Sequence, residues 1–508
     1  MQSRILSFSL ISLIFIFSCE EKPQPQETTS PKPNVLFLIA DDWSYPHAGV
    51  LGDPQVQTPT FDFLAKEGAL FHHAYTASPS CSPSRASILT GRYPHQNEGG
   101  GNLWSVFPGK FPTWVNGLED IGYFCGKARK GWAPGNFKKG GYEHNPAGKH
   151  YNSFEEFYAE KEEDAPFSFW FGSSDPHRRY ETNTGVKTGM KADLVEVPAF
   201  MPQLACVQND ILDYYFEVER FDRECGQIIS FLEEKGELDN TLIIMTSDNG
   251  MPFPRAKANL YDYGTRMPLA MYWKGKIKTG TEVNDFVNFV DFAPTILAAA
   301  GVEIPETFSG KNLISSSGNI EGKARVFLER ERHANVRKGD LSYPMRAIRT
   351  HEFLYIRNFM PDRWPAGDPS VHRSVGQYGD VDNSISKFLV MNMQGKEGSI
   401  NYFDLTFAKR PEEELYRVED DPFQLYNLAA DPGFAKVKGE LSQELQSWMR
   451  ENGDIRATEP QSIYYDTVEY TIEYQFQNYK LSEKIDAYTM LKMDGNMRFV
   501  EVECLEEE

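Results

Sequence analysis

Two apolar runs in this sequence end in oxygen-bearing side chains. Val35-Leu36-Phe37-Leu38-Ile39-Ala40 leads into Asp41-Asp42, and Leu242-Ile243-Ile244-Met245-Thr246-Ser247 leads into Asp248-Asn249-Gly250. Continuous apolar runs of this length fit strands buried on both faces of a parallel sheet. Ligands of such sheets bind outside the carboxyl ends of the strands. Two adjacent carboxylates repel each other and need a cation, and hard oxygen ligands suit Ca²⁺ or Mg²⁺. The Asp41-Asp42 pair, taken alone, equally fits a solvated turn. Gly250 lets the backbone turn away sharply after Asn249. Between the runs lies Cys81-Ser82-Pro83-Ser84-Arg85, followed by Ala86-Ser87-Ile88-Leu89-Thr90-Gly91-Arg92. Proline is well placed in a first helical turn. A helix N-terminus offers unpaired N–H groups and the positive end of the helix dipole. Cys81 therefore stands where an anion can be held, with Arg85 one turn along. A lone cysteine in such a place is more often a buried, inert thiol.

The remaining polar candidates follow elements of the same kind. A short strand over 69–75 leads into the Cys81 loop, and its His72 and His73 read as strand side chains without metal-ligand spacing. Residues 123–132 carry Lys127, Arg129, Lys130 and Trp132. The aromatic run Phe167-Ser168-Phe169-Trp170-Phe171-Gly172 ends in a polar turn holding His177 and Arg178. Residues 208–235 are apolar at close to helical spacing and predict a long structural helix packed on the sheet. Lys257 follows the second acidic strand end. Asp291 reads as the cap of a helix over 292–297.

The string Cys81-x-Pro83-Ser84-Arg85, followed by Leu89-Thr90-Gly91-Arg92, resembles the signature of the type I sulfatases. The resemblance spans roughly residues 34–450. It implies an α/β fold: an alkaline-phosphatase-like sandwich with a large mixed, mostly parallel sheet between helices, plus a smaller C-terminal α+β subdomain with an antiparallel sheet. It implies that a separate maturation enzyme oxidises Cys81 to formylglycine (3-oxoalanine). It also implies that Asp41, Asp42, Asp248, Asn249 and residue 81 bind one Ca²⁺. In the implied chemistry one hydroxyl of the hydrated aldehyde attacks sulfur and His177 protonates the leaving atom. Arg85, Lys130 and Lys257 stabilise charge on the sulfonate oxygens. The second hydroxyl then expels sulfate, which a thiol has no oxygen to do.

One position departs from the pattern. The family commonly carries Gly-Lys-x-His where Lys130-Gly131-Trp132 stands, so Trp132 puts an aromatic platform in place of one proton donor or anion contact. Gly126-Lys127 mimics the same motif and leaves Lys127 or Arg129 as an alternative to Lys130. The blocks 247–254, 259–261, 330–333 and 342–349 look most like the N-sulfoglucosamine sulfohydrolase branch. On that likeness Arg332 and His333 form a polar subsite for a charged sugar, with Arg178 and Trp132 as further substrate contacts. A solvated charge run is the other reading of 330–333.

The chain has 508 residues, enough for one large domain and a smaller one around an ample core. Hydrophobic residues make up 40% and the mean hydropathy is -0.50, which fits a globular body. A formal net charge of -21 argues against nucleic acid as a partner but leaves room for a local basic pocket. Residues 1–19 read as a lipoprotein signal peptide. Their apolar stretch is too short to span a bilayer and ends Ile16-Phe17-Ser18-Cys19. The expected mature protein is exported to the periplasm or cell surface and anchored in the outer membrane through a lipid on Cys19; a plain secreted protein with a longer signal is the alternative. Residues 20–33 form a linker. The catalytic domain is expected over 34–350, the C-terminal subdomain over 351–454, and a Tyr- and Glu-rich extension without a motif over 455–508. Of the six cysteines, four remain once Cys19 and Cys81 are assigned, and their spacing predicts no disulfide framework.

The expected function is hydrolysis of sulfate esters or N-sulfates of carbohydrates, in degradation of sulfated polysaccharides such as algal glycans (ulvan, carrageenan) or heparan-type glycans. The alternatives are a phosphatase or phosphodiesterase of the alkaline phosphatase superfamily and a non-catalytic binder of sulfated glycans.

Overall fold

The computed structural model describes residues 32–370, 376–396 and 398–471. The expected signal peptide with Cys19, and most of the linker, lie outside the described residues, as does the extension beyond 471. The main sheet has eight strands. They are β1 (Asn34–Ala40), β2 (Ala69–Tyr75), β3 (Phe124–Arg129), β4 (Lys149–Tyr151), β5 (Phe167–Gly172), β6 (Thr241–Ser247), β7 (Leu269–Tyr272) and β8 (Thr281–Asn288). Their order is β8-β2-β7-β6-β1-β5-β3-β4. Only β7 runs antiparallel to its neighbours. The central strands β1, β5 and β6 are buried along their whole length, which is why their sequences are continuously apolar.

Alternate residues of β1 serve two cores. Leu36, Leu38 and Ala40 pack on the face covered by the helix Ala205–Glu234, through Val207, Ile211 and Val218. Val35, Phe37 and Ile39 pack on the opposite face, where Ile88, Leu89 and Phe292 lie. In chain order the helices that matter here are α1 (Pro59–Glu67), α2 (Cys81–Thr90), α3 (Ala205–Glu234), α4 (Phe292–Ala299), α5 (Ile385–Met391) and α6 (Ala435–Glu451). Phe37 also stacks on Trp170 of β5 at 4.7 Å between ring centroids. Each fully buried side chain of this size contributes about 1.5–3 kcal/mol.

A second sheet, β9 (Arg325–Arg330), β10 (Met345–Thr350), β11 (Phe353–Asn358) and β12 (Glu413–Arg417), is antiparallel with strands in chain order. The expected boundary at residue 350 therefore falls at the end of β10, inside the antiparallel sheet, which starts at Arg325. Charged residues at Glu329, Arg330 and Arg346 hide the strand pattern there, because they are buried in ion pairs.

Asp291 does not cap α4 through its side chain. Its carboxylate accepts the Asn288 and Lys311 N–H groups and pairs with Lys323 at 2.7 Å. Cys81, Cys125 and Cys225 are free and buried. Cys206 is in a disulfide, a bond that the cysteine spacing gives no reason to expect. No helix among the described residues is long and apolar enough to cross a membrane.

A buried ion network ties the segment after α2 to the second sheet. Arg346 pairs with Asp454 at 2.6 Å and Glu331 at 2.8 Å, and Arg456 pairs with Glu331 at 2.7 Å. His95 has Nδ1 2.8 Å from Glu329 Oε2 and Nε2 3.0 Å from the Asn452 carbonyl oxygen. Both neighbours accept only, so the ring keeps both protons. Burial opposes the charge, but Glu329 outweighs it and raises the pKa above the usual 6.5. A raised folded-state pKa means that this stabilisation is complete below pH 6.5 and is lost as pH rises through the raised value. His95→Gln should lower stability most below pH 6.5 and flatten that slope, as read from denaturant unfolding of both proteins across pH.

Candidate active site

The site is assembled from the carboxyl ends of adjacent parallel strands. Ala40 of β1 pairs with Ser247 of β6, so Asp41-Asp42 leave the sheet beside Asp248-Asn249. Lys130 follows β3, and His177 sits in the turn after β5. Asp42 adopts φ 80°, in the left-handed region, a strain that costs a non-glycine residue about 1–3 kcal/mol. Its N–H donates to Asp248 Oδ1 at 3.2 Å, which holds the two strand ends together.

Cys81 is the first residue of α2, and its Sγ lies 3.4 Å from Asp41 Oδ1. Every residue of α2 is buried. Ser80, at the N-cap position, does not cap the helix; its hydroxyl meets His333 Nδ1 at 2.8 Å. Trp132 braces the same helix end by donating its indole N–H to the Ser82 carbonyl at 3.0 Å.

Three cations meet three acids. Arg85 donates from Nε to Asp248 Oδ2 at 2.7 Å and from Nη1 to the Lys130 and Gly131 carbonyls at 3.1 Å each. Its Nη2 is buried without a hydrogen bond, 3.9 Å from Asp41 Oδ1. Lys130 Nζ donates to Asp41 Oδ2 at 2.5 Å, and Lys257 Nζ to Asp42 Oδ2 at 2.7 Å. Lys127 instead donates to the Arg129 carbonyl, and Arg129 pairs with Glu224, so Lys130 is the cation of that segment that reaches the acids. His177 has Nδ1 2.6 Å from the Arg178 carbonyl, which only accepts, so Nδ1 carries a proton. Its Nε2 is then the atom turned toward the site, 3.9 Å from Asp42 Oδ2.

The acids form a donor set for a hard cation. Oxygen atoms of Asp41, Asp42 and Asp248, with Cys81 Sγ, all lie within 4.8 Å of one another. Asn249 donates from Nδ2 to Asp42 Oδ1 at 2.7 Å and to the Gly250 carbonyl, which fixes its side chain; Oδ1 is left buried with no hydrogen bond. A buried amide oxygen without a donor costs roughly 1–3 kcal/mol unless something binds it. Burial pushes Asp248 up to about 6 against Arg85, and pushes Asp42 up against Lys257. For Asp41 the burial effect is outweighed by Lys130, His177 and Arg85, which hold it well below the usual carboxylate range. Burial and then Asp41 push the Cys81 thiol well above its usual value, so the unmodified cysteine is a poor nucleophile here.

The other expected substrate contacts lie elsewhere. Trp132 is 1% exposed and stacked on Phe107 at 5.0 Å, so it presents no platform. The ring fills core space behind α2 instead of facing solvent. Arg178 pairs with Asp210 at 2.6 Å and 2.8 Å and donates to the Pro252 carbonyl, which leaves it as a brace for the His177 turn. Arg332 is buried, with its guanidinium on the Asp340 and Val468 carbonyls. His333 is the one of this group brought near the site, through Ser80. Two residues escaped the sequence reading. Ser80 gives no signal apart from the cysteine beside it. Asp382 pairs with Lys257 at 3.2 Å, and it sits in a turn without strand, helix or motif spacing.

Comparison with known proteins agrees with this arrangement. The sulfatase family model matches residues 33–156 and 139–302, and the model of the N-sulphoglucosamine sulphohydrolase C-terminal region matches 255–364. The chain is 26% identical over 515 positions to an ulvan-active sulfatase of Formosa agariphila, covering 89% of this chain and 82% of that one. It is 28% identical over 495 positions to human N-sulphoglucosamine sulphohydrolase, covering 85% and 92%. A solved putative sulfatase from Bacteroides fragilis shares the fold with a TM-score of 0.63 at 20% identity, covering 87% of this chain and all of that one. With a cysteine at a helix start, cations around it and the acids of two strand ends beside it, the chain belongs to the sulfatase family and is a sulfuric ester hydrolase.

Proposed function

We propose that the protein removes sulfate from sulfated carbohydrates at residue 81, after that residue is converted from cysteine to formylglycine, beside one calcium ion. The observation that carries this reading is the placing of Cys81 Sγ 3.4 Å from Asp41 Oδ1, inside a ring of Arg85, Lys130 and Lys257. Asp41, Asp42, Asp248 and Asn249, together with residue 81, would hold the ion. When bound, the ion would supply positive charge that makes a neighbouring hydroxyl more acidic. The aldehyde, once hydrated, would supply two oxygens on one carbon, one to attack sulfur and one to expel sulfate.

The protein's own groups do the rest. Arg85, Lys130 and Lys257 are fixed by carboxylates before substrate arrives, so they stabilise developing negative charge without reorganising. His177 donates a proton from Nε2 to the leaving oxygen or nitrogen, with Nδ1 held by the Arg178 carbonyl. Asp210 grips Arg178 on the neighbouring position and so keeps that turn in place. The buried setting strengthens each of these interactions.

The likeness to human N-sulphoglucosamine sulphohydrolase and to ulvan-active sulfatases supports two substrate classes, N-sulfated glucosamine and sulfated algal oligosaccharides. The protein is further proposed to depend on a maturation enzyme for residue 81 and to work outside the cytoplasm on a lipid anchor at Cys19.

Protein produced together with a maturation enzyme should release inorganic sulfate from one of these two substrate classes and no phosphate from phosphate monoesters. Cys81→Ser should abolish release, and His177→Ala should lower kcat by roughly 10²–10⁴-fold. Retained turnover in Cys81→Ser would sink the formylglycine route. Calcium at about 100 times its Kd should add about 2.7 kcal/mol to the unfolding free energy, a gain that Asn249→Leu removes. A denaturation series with calcium, and with a chelator, reads this without any turnover; identical curves would count against the ion.

A further inference from the structure

Asp382 stands in the site without having been assigned a role by sequence. It belongs to the long loop between β11 and α5, far along the chain from every strand end that builds the site. Its Oδ2 is 3.2 Å from Lys257 Nζ, and beyond that pair its carboxylate takes no hydrogen bond from the described residues. One of its oxygens lies within 4.8 Å of both an Asp42 oxygen and a His177 ring nitrogen. The side chain is 26% exposed, whereas Lys257 behind it is 4% exposed. Part of the side chain therefore reaches solvent, while Oδ2 is buried against Lys257.

The turn is held from both sides. Asp380 accepts from Arg330 at 2.5 Å, Arg337 at 2.6 Å and the Ala334 N–H at 3.0 Å. Lys387, fully buried, donates to the Val381 carbonyl at 2.7 Å and Asn383 Oδ1 at 3.1 Å. Ser384 caps α5 by accepting the Lys387 N–H. Ser386 then reaches Asp210, the carboxylate that grips Arg178 beside His177. The backing of Asp382 and the backing of His177 are therefore one connected structure, and the spacing between the two side chains is fixed.

That spacing has a chemical consequence. The leaving oxygen or nitrogen must lie at hydrogen-bond distance from His177 Nε2 for proton transfer. On a sugar ring the neighbouring hydroxyl lies about one hydrogen-bond length further on. An ionised carboxylate at this place accepts a hydrogen bond from that hydroxyl and repels an anionic group in its stead.

We propose that Asp382 is a specificity-determining residue that accepts a hydrogen bond from a free hydroxyl next to the scissile sulfate group and excludes a second anionic group there. The inference rests on the sulfatase reading above. The test compares kcat/KM of the mature enzyme on N-sulfoglucosamine with its 3-deoxy and 3-O-sulfo counterparts, and on rhamnose 3-sulfate with its 2-deoxy and 2-O-sulfo counterparts. On the parent sugar that is turned over, the wild-type enzyme should exceed both counterparts at least about tenfold, because a site built around a hydroxyl rejects an analogue that lacks it. Asp382→Asn and Asp382→Ser should lose roughly 10- to 100-fold on the parent sugar and stay within about threefold of wild type on the deoxy counterpart. Equal rates of the wild-type enzyme on parent and counterparts overturn the proposal even if neither variant folds. Equal losses on parent and deoxy sugars also overturn it, since they would mean that Asp382 only positions Lys257. Absence of sulfate release from every sugar by the wild-type enzyme overturns the sulfatase reading, and the inference falls with it.

Discussion

Three buried carboxylates held together at two paired strand ends form the constraint on which this molecule is built. Asp41, Asp42 and Asp248 are buried at the ends of two paired strands. Taking an ion out of water costs several kcal/mol, and like charges side by side add to it. Arg85, Lys130 and Lys257 offset that cost from three directions: the first turn of α2, the end of β3 and the loop after β6. In the proposed chemistry each cation is also a group that a sulfate needs. The demand of folding and the demand of chemistry therefore fall on the same side chains, and a change to any one of them disturbs both.

The helix that starts at Cys81 is shaped by the same economy. Its N-cap serine turns its hydroxyl to His333 and leaves the helix end without a side-chain cap. The first turn is stabilised instead by Trp132, whose indole holds the Ser82 carbonyl, and by Arg85, whose guanidinium spans Asp248 and two carbonyls. Trp132 thus adds rigidity behind the helix start and presents no aromatic face to the site. In the proposed chemistry proton donation is left to His177, whose turn is braced by Arg178 and Asp210.

The second half of the chain does more than cover the first. Its antiparallel sheet carries Arg330 and Glu331 into buried ion pairs, and the turn that Arg330 fixes through Asp380 presents Asp382 to the cleft. Under the role proposed for Asp382, recognition of the sugar around the sulfate comes from the part of the chain that builds none of the acidic strand ends. Substrate preference can then change in that half while the sulfate chemistry stays in place.

The strands, the long helix and the acids and cysteine of the site were legible in the sequence because each depends on local pattern. Val35 to Ala40 is apolar throughout because both faces of β1 are buried, and an acid pair after such a strand stands at a ligand-binding edge whatever its neighbours are. The string from Cys81 to Arg92 is read within one helix and its cap. Lys130 could be named beside Lys127 and Arg129, but the choice among them waited on which one the end of β3 turns toward Asp41. Only the tertiary structure decided the fates of Trp132, Arg178, Arg332 and Asp382. A polar or aromatic residue acquires its role from what packs against it, and those partners come from Phe107, Asp210, Val468 and Lys257, each far away in the chain or on another element. Periodicity reports which face of a strand or helix is buried; it holds no record of which distant charge is waiting there.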